Sequence, residues 1–149
     1  MHTVLIAMNL VAVRIEQTGA TLHICLNRPE SRNAMSLQMV AELRQVLQAA
    51  EATAGQPDAV RVVVLRGAGG HFSAGADLKD MAGARMRAMQ VPVAKDGVSD
   101  GVNAKGEAAA DPIAEVNAAF GELCVAYART PLAVVAVLEV AGMGGGFGL

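Results

Sequence analysis

The chain opens on two short stretches in which apolar and polar residues alternate. Val11, Val13 and Ile15 alternate with Ala12, Arg14 and Glu16, and Leu22, Ile24 and Leu26 with Thr21, His23 and Cys25. A period of two is the mark of strands with one buried face. Gln17-Thr18-Gly19-Ala20 between them predicts a hairpin turn, with Gly19 supplying a positive φ. Asn27-Arg28-Pro29 ends the second strand, because Pro29 has no N–H to give a ladder.

The period then changes. Leu37, Val40, Leu43, Val46, Leu47 and Ala50 recur at spacings of three and four, which predicts a helix over 37–51 with Ser36 as its N-cap. Glu42, Arg44, Gln45 and Gln48 fall on the face predicted to point outward. Val60 to Leu65 is nearly all β-branched or apolar, so it reads as a strand of a parallel sheet covered by helices on both faces. Gly67-Ala68-Gly69-Gly70 ends it, and Asp77 is placed to cap a short helix. From Met81 to Asp111 no period holds. Gly83, Gly97, Gly101, Gly106 and Pro92 punctuate the stretch, which predicts a mobile loop over most of it. A second long helix is predicted from Asp111 and Pro112, with the stripe Ile113, Val116, Phe120, Leu123, Cys124 and Tyr127. Pro131 stops it, and Leu132 to Glu139 reads as another buried strand. The order β-β-α-β-loop-α-β predicts an α/β fold.

Composition narrows the partners. With 149 residues the default is one domain, and 53% hydrophobic residues with a mean hydropathy of +0.38 suffice for a core. Only 17% of residues are charged, which suits a surface partly buried in subunit contacts. A net charge of −2 and 3% aromatics argue against nucleic acid. Cys25 and Cys124 belong to no cluster with metal-ligand or redox spacing, so both read as small buried hydrophobes in a reducing, cytoplasmic setting. The apolar run from Met1 to Val13 has no preceding Lys or Arg, is broken by Asn9 and is too short to span a bilayer. It predicts a first strand, with neither signal peptide nor membrane contact.

Two small-residue turns follow the two predicted buried strands: Ser73-Ala74-Gly75-Ala76-Asp77 and Gly142-Met143-Gly144-Gly145-Gly146. Small residues after a strand let a ligand approach backbone N–H groups, and two such turns side by side can aim two donors at one oxygen. Taken singly, each is better read as a packing turn. Neither GxGxxG nor GxxxxGK[ST] occurs, which argues against a dinucleotide or P-loop site. The glycine run at Gly144–Leu149 directly follows a strand pattern, so the chain reads as the incomplete N-terminal part of a domain.

The run His71-Phe72-Ser73-Ala74-Gly75-Ala76-Asp77-Leu78-Lys79-Asp80-Met81 resembles the oxyanion motif of the crotonase (enoyl-CoA hydratase/isomerase) family. Leu26-Asn27-Arg28-Pro29-Glu30-Ser31-Arg32-Asn33-Ala34-Met35-Ser36 resembles the family's CoA-binding loop, and Gly144–Leu149 its second oxyanion turn. The resemblance implies a spiral of ββα units, residues 1–149 forming the N-terminal part of an acyl-CoA-binding domain. It implies that the backbone N–H groups of Ala76 and Gly145 polarise a thioester carbonyl. Arg32, Ala34, Ala74, Asp77, Leu78 and Lys79 would line the CoA site, with Arg32 either at a phosphate or a solvated side chain, and Asp77 capping the helix that follows. It implies no metal and no cofactor beyond the coenzyme A of the substrate, and trimers or hexamers of the complete protein. Among subgroups the motifs most resemble bacterial isohexenylglutaconyl-CoA hydratases of terpene breakdown, with methylglutaconyl-CoA hydratases as near relatives. Gly148 stands where many hydratases have a catalytic Glu, Val140 replaces a usual glycine, and Glu139 reads as a strand-end residue outside the chemistry. A double-bond isomerase using the same enolate, and a non-catalytic CoA-binding or assembly subunit, are the rival readings.

Overall fold

The computed structural model describes residue 5, residues 7–90 and residues 112–139. Among them, strands β1 (Val13–Thr18), β2 (Thr21–Leu26), β3 (Val62–Gly67) and β4 (Ala133–Ala136) form one sheet in the order β1-β2-β3-β4. β1 and β2 are antiparallel, whereas β2–β3 and β3–β4 are parallel. Three helices accompany them: α1 (Leu37–Glu51), α2 (Leu78–Gln90) and α3 (Pro112–Arg129). This is the mixed α/β architecture expected.

The hairpin forms where the alternation places it. Gly19 takes φ +57 in the turn, and Leu22, Ile24 and Leu26 are fully buried beneath it. α1 runs over the predicted residues, capped by Ser36, whose hydroxyl accepts from Met39 N–H at 3.2 Å. Met39, Leu43 and Val46 pack with Ile24, Val63, Leu65, Leu123 and Tyr127 into a single core. Tyr127 donates from its hydroxyl to the Leu43 carbonyl at 3.2 Å, which joins α3 to α1. Burial raises the phenol's pKa well above its ordinary value.

Several sequence expectations are corrected. Glu42 does not face outward: it is 6% exposed. Its carboxylate accepts the backbone N–H groups of Val11, Ala12 and Val13 at 2.8–3.1 Å, and Gln38 Nε2 at 3.1 Å. Val11 and Ala12 lie before the sheet, because residues 7–12 form no strand; the expected first strand begins only at Val13. β3 starts at Val62 and not Val60, because Thr53 Oγ1 takes the Val60 N–H at 2.8 Å into the preceding loop. Residues 81–90 of the predicted mobile loop belong to α2; the rest, 91–111, lies outside the described residues. β4 is not buried, with Val135 48% exposed, since it is the sheet's edge among the described residues. Cys25 and Cys124 are free and half-buried, Cys25 on the open face of the sheet and Cys124 on the flank of α3.

Candidate functional site

Two segments that leave neighbouring parallel strands meet at the carboxyl ends of β2 and β3. Residues 28–36 follow β2, and residues 68–77 follow β3. Their joint is a one-residue parallel bridge between Met35 and Ala76. Met35 N–H donates to the Gly75 carbonyl at 2.7 Å, and Asp77 N–H donates to the Met35 carbonyl at 3.1 Å. In a parallel bridge the residue bonded on both sides points its amide at the partner, and the opposed residue points its own away. The register therefore turns the Ala76 N–H outward.

The amides of Ala74, Gly75 and Asp77 on either side of it are engaged. Ala74 N–H donates to the Arg32 carbonyl at 2.9 Å, and Gly75 N–H to Ser73 Oγ at 3.2 Å. Gly75 holds φ +91, which a residue with a side chain adopts only under strain. The Ala76 N–H has no acceptor among the described residues. Ala76 borders a mostly apolar cleft of about 60 Å³, walled by Met35, Leu37 and Val40 on one side and Met81, Val116, Asn117 and Phe120 on the other. Leu37, assigned to the core stripe by its spacing, faces this cleft and is 38% exposed. Among the described lining side chains there is neither acid nor base.

A buried frame holds the two segments together. Asn33 is fully buried at φ +56. Its Nδ2 donates to the Ala68 and His71 carbonyls at 2.9 and 2.7 Å, and its Oδ1 accepts from Arg28 N–H at 2.9 Å. Ser73 Oγ donates to the Asn33 carbonyl at 2.8 Å. Arg28 Nη1 donates both to the Ala34 carbonyl and to Asp77 Oδ2, each at 2.8 Å. Asp77 Oδ1 in turn accepts the Lys79 N–H at 2.8 Å, the N-cap bond of α2. Burial alone would raise the Asp77 pKa; the Arg28 hydrogen bond, the Lys79 and Asp80 amides and the Arg28 charge together bring it below its ordinary value. Asp80 Oδ2 accepts the Leu37 N–H at 2.7 Å, tying α2 to the start of α1.

Of the residues singled out by sequence, Arg32, Ala34, Ala74, Ala76, Asp77, Leu78 and Lys79 come together in this joint. Arg32, Ala74, Leu78 and Lys79 are exposed; Ala34 and Asp77 are buried and serve the frame. Gly145 and the whole second glycine turn lie outside the described residues. Arg28 and Asn33 were legible only as letters of a motif. An arginine before a proline at a strand's end, opposite a helix-capping aspartate, was the available signal. The described residues hold no cluster of three or more potential metal ligands, and none of their helices is long and apolar enough to cross a membrane.

A model of the family described as enoyl-CoA hydratase/isomerase matches residues 16–103, across both segments of the joint. The enoyl-CoA hydratase EchA19 of Mycobacterium tuberculosis is 45% identical over 65 residues, 44% of this chain and 23% of that protein. Among solved structures, Pseudomonas aeruginosa AtuE is 42% identical with a TM-score of 0.72, covering 92% of this chain and 43% of its own. An enoyl-CoA hydratase/isomerase from Marinobacter aquaeolei is 43% identical with a TM-score of 0.70, covering 92% of this chain and 44% of its own. The chain thus spans less than half the length of these relatives. With the braced turn, the parallel strands behind it and these matches in hand, the chain is a member of the enoyl-CoA hydratase/isomerase family.

Proposed function

We propose that this chain carries the thioester-binding, carbonyl-polarising part of an acyl-CoA hydratase, a lyase that adds water across the 2,3-double bond of an enoyl-CoA. The observation that supports this most is the Ala76 N–H, which has no acceptor among the described residues while the amides of Ala74, Gly75 and Asp77 are bonded, beside an apolar cleft. A fixed donor of this kind stabilises the negative charge that builds on a thioester oxygen, and loss of one such donor costs about 2.7–4 kcal/mol of barrier. The first turn of α2 adds its positive end to the same region. Gly145 would supply the second donor. Arg32, Ala74, Leu78 and Lys79, exposed around the turn, would receive the CoA moiety, which enters only as part of the substrate. The acyl group is a branched glutaconyl thioester, of the isohexenylglutaconyl or methylglutaconyl type, and the complete protein is a cytoplasmic homotrimer or hexamer.

Hydration also needs a base for water and an acid for the α-carbon. The described cleft walls offer neither, and Gly148 stands where many hydratases have a catalytic Glu; the expectation is that the 149-residue chain binds and polarises a thioester without turning it over. The test is the purified chain mixed with crotonyl-CoA and with 3-methylglutaconyl-CoA. Expected are saturable binding, a red-shifted enoyl absorbance and no product above the uncatalysed rate. Absence of binding would refute the reading, and turnover would refute the claim that the chain lacks proton-transfer groups.

A further inference from the structure

Three backbone bonds cross the joint between residues 28–36 and 68–77 among the described residues: Ala74 N–H to the Arg32 carbonyl, and the two of the Met35–Ala76 bridge. Its bridge is a single residue pair with two hydrogen bonds. An isolated bridge is weak, yet the direction of the Ala76 N–H depends on its register. A peptide plane on one side of Ala76 is fixed by the Gly75 carbonyl, and the plane on the other side by the Asp77 N–H. Arg28 reaches across this pair. One guanidinium nitrogen, Nη1, grips the carbonyl of Ala34, one residue before Met35, and the carboxylate of Asp77, one residue after Ala76. The Arg28 side chain is 23% exposed and that of Asp77 only 7%, so solvent competes little for the carboxylate. The same carboxylate holds the first turn of α2 through Lys79 N–H.

We propose that Arg28 is a positioning residue, which keeps the Ala76 N–H aimed at the thioester oxygen by clamping both strands of the Met35–Ala76 bridge. Arg28 touches no reacting atom in this arrangement. Its charge neutralises Asp77, and the two protons of Nη1, held in the plane of the guanidinium, set Ala34 and Asp77 at a fixed separation. The consequence is specific: weakening the clamp loosens carbonyl polarisation before it loosens ligand binding, because the Arg28 side chain bonds directly to Ala34 and Asp77 and to none of the exposed Arg32, Ala74, Leu78 and Lys79.

The inference rests on the proposed carbonyl-polarising function, and the experiment separates the two. The probe is crotonyl-CoA carrying 13C at the thioester carbonyl, bound to the full 149-residue chain, with the carbonyl stretch read by difference infrared spectroscopy. Arg28→Met is expected to bind within about threefold of the unmodified chain, while its carbonyl shift falls by about half or more. Arg28→Lys should recover part of that shift. Should Arg28→Met fail to fold, as judged by circular dichroism, Asp77→Asn provides the second reading: it retains the helix cap but loses the charge pair, and the same loss of shift is expected. An unmodified chain that binds crotonyl-CoA with no carbonyl shift refutes the parent reading, and with it the positioning role. A normal shift in the unmodified chain that survives intact in Arg28→Met, or in Asp77→Asn, overturns the positioning role alone.

Discussion

Helices α1 and α2 both begin at the joint, yet they spend their apolar residues differently. α1 buries Met39, Val40, Leu43, Val46, Leu47 and Ala50 between the sheet and α3. α2 fully buries Ala84 and leaves Leu78 79%, Met86 61% and Met89 71% exposed, although it too packs against α3. α1 is held by the core, whereas α2 is held largely by its first turn, through Asp77, Asp80 and the contact with α3. An element fixed at one end, with flexible methionines along its length, can adapt to what lies against it at little cost to folding.

The largest effect that would sharpen this contrast is in α1. Leu43→Ala removes a fully buried side chain from the centre of the core and should cost about 2–5 kcal/mol in urea denaturation. A smaller loss is expected where α3 is pinned to α1: Tyr127→Phe deletes the bond to the Leu43 carbonyl and should cost about 1 kcal/mol by the same measurement. Next comes the cap of α2. The Asp77 pKa is depressed in the folded chain, so its ionised form adds stability that is fully present above the ordinary carboxylate range. That contribution is lost as pH falls below about 4 and through the depressed value. Acid titration of the melting temperature should therefore fall more steeply for the unmodified chain than for Asp77→Asn. Smallest is the exposed stripe: Met86→Ala should change stability by less than about 0.5 kcal/mol. A loss comparable to that of Leu43→Ala would break the comparison, since it would mean that α2 is covered.

What the sequence disclosed follows the same division. α1, the hairpin and the turn at Gly19 were legible because burial on one face imposes a period, and that period is written in the residues. α2 was not legible between 81 and 90, since of its described side chains only Ala84 is buried, and so little burial imposes no period. Glu42 misled for a related reason. A glutamate on a polar flank reads as solvated, and nothing local announces that Val11–Val13 will return from some thirty residues away to use it. The joint itself was visible as two motifs. Its direction, with Ala76 N–H turned outward, comes from the Met35–Ala76 register, which depends on two strands docking side by side.

The Glu42 carboxylate also bears on the order in which the chain assembles. It lies mid-helix and gathers three consecutive amides at the entry to β1, closing a loop of about thirty residues whose entropic cost must be met before the bonds form. The hairpin and α1 can each form from local contacts, whereas this grip requires both to be in place. It is therefore a late latch on the folding route. Its strength sets how long the amino-terminal end stays docked once folded, more than how fast the chain folds.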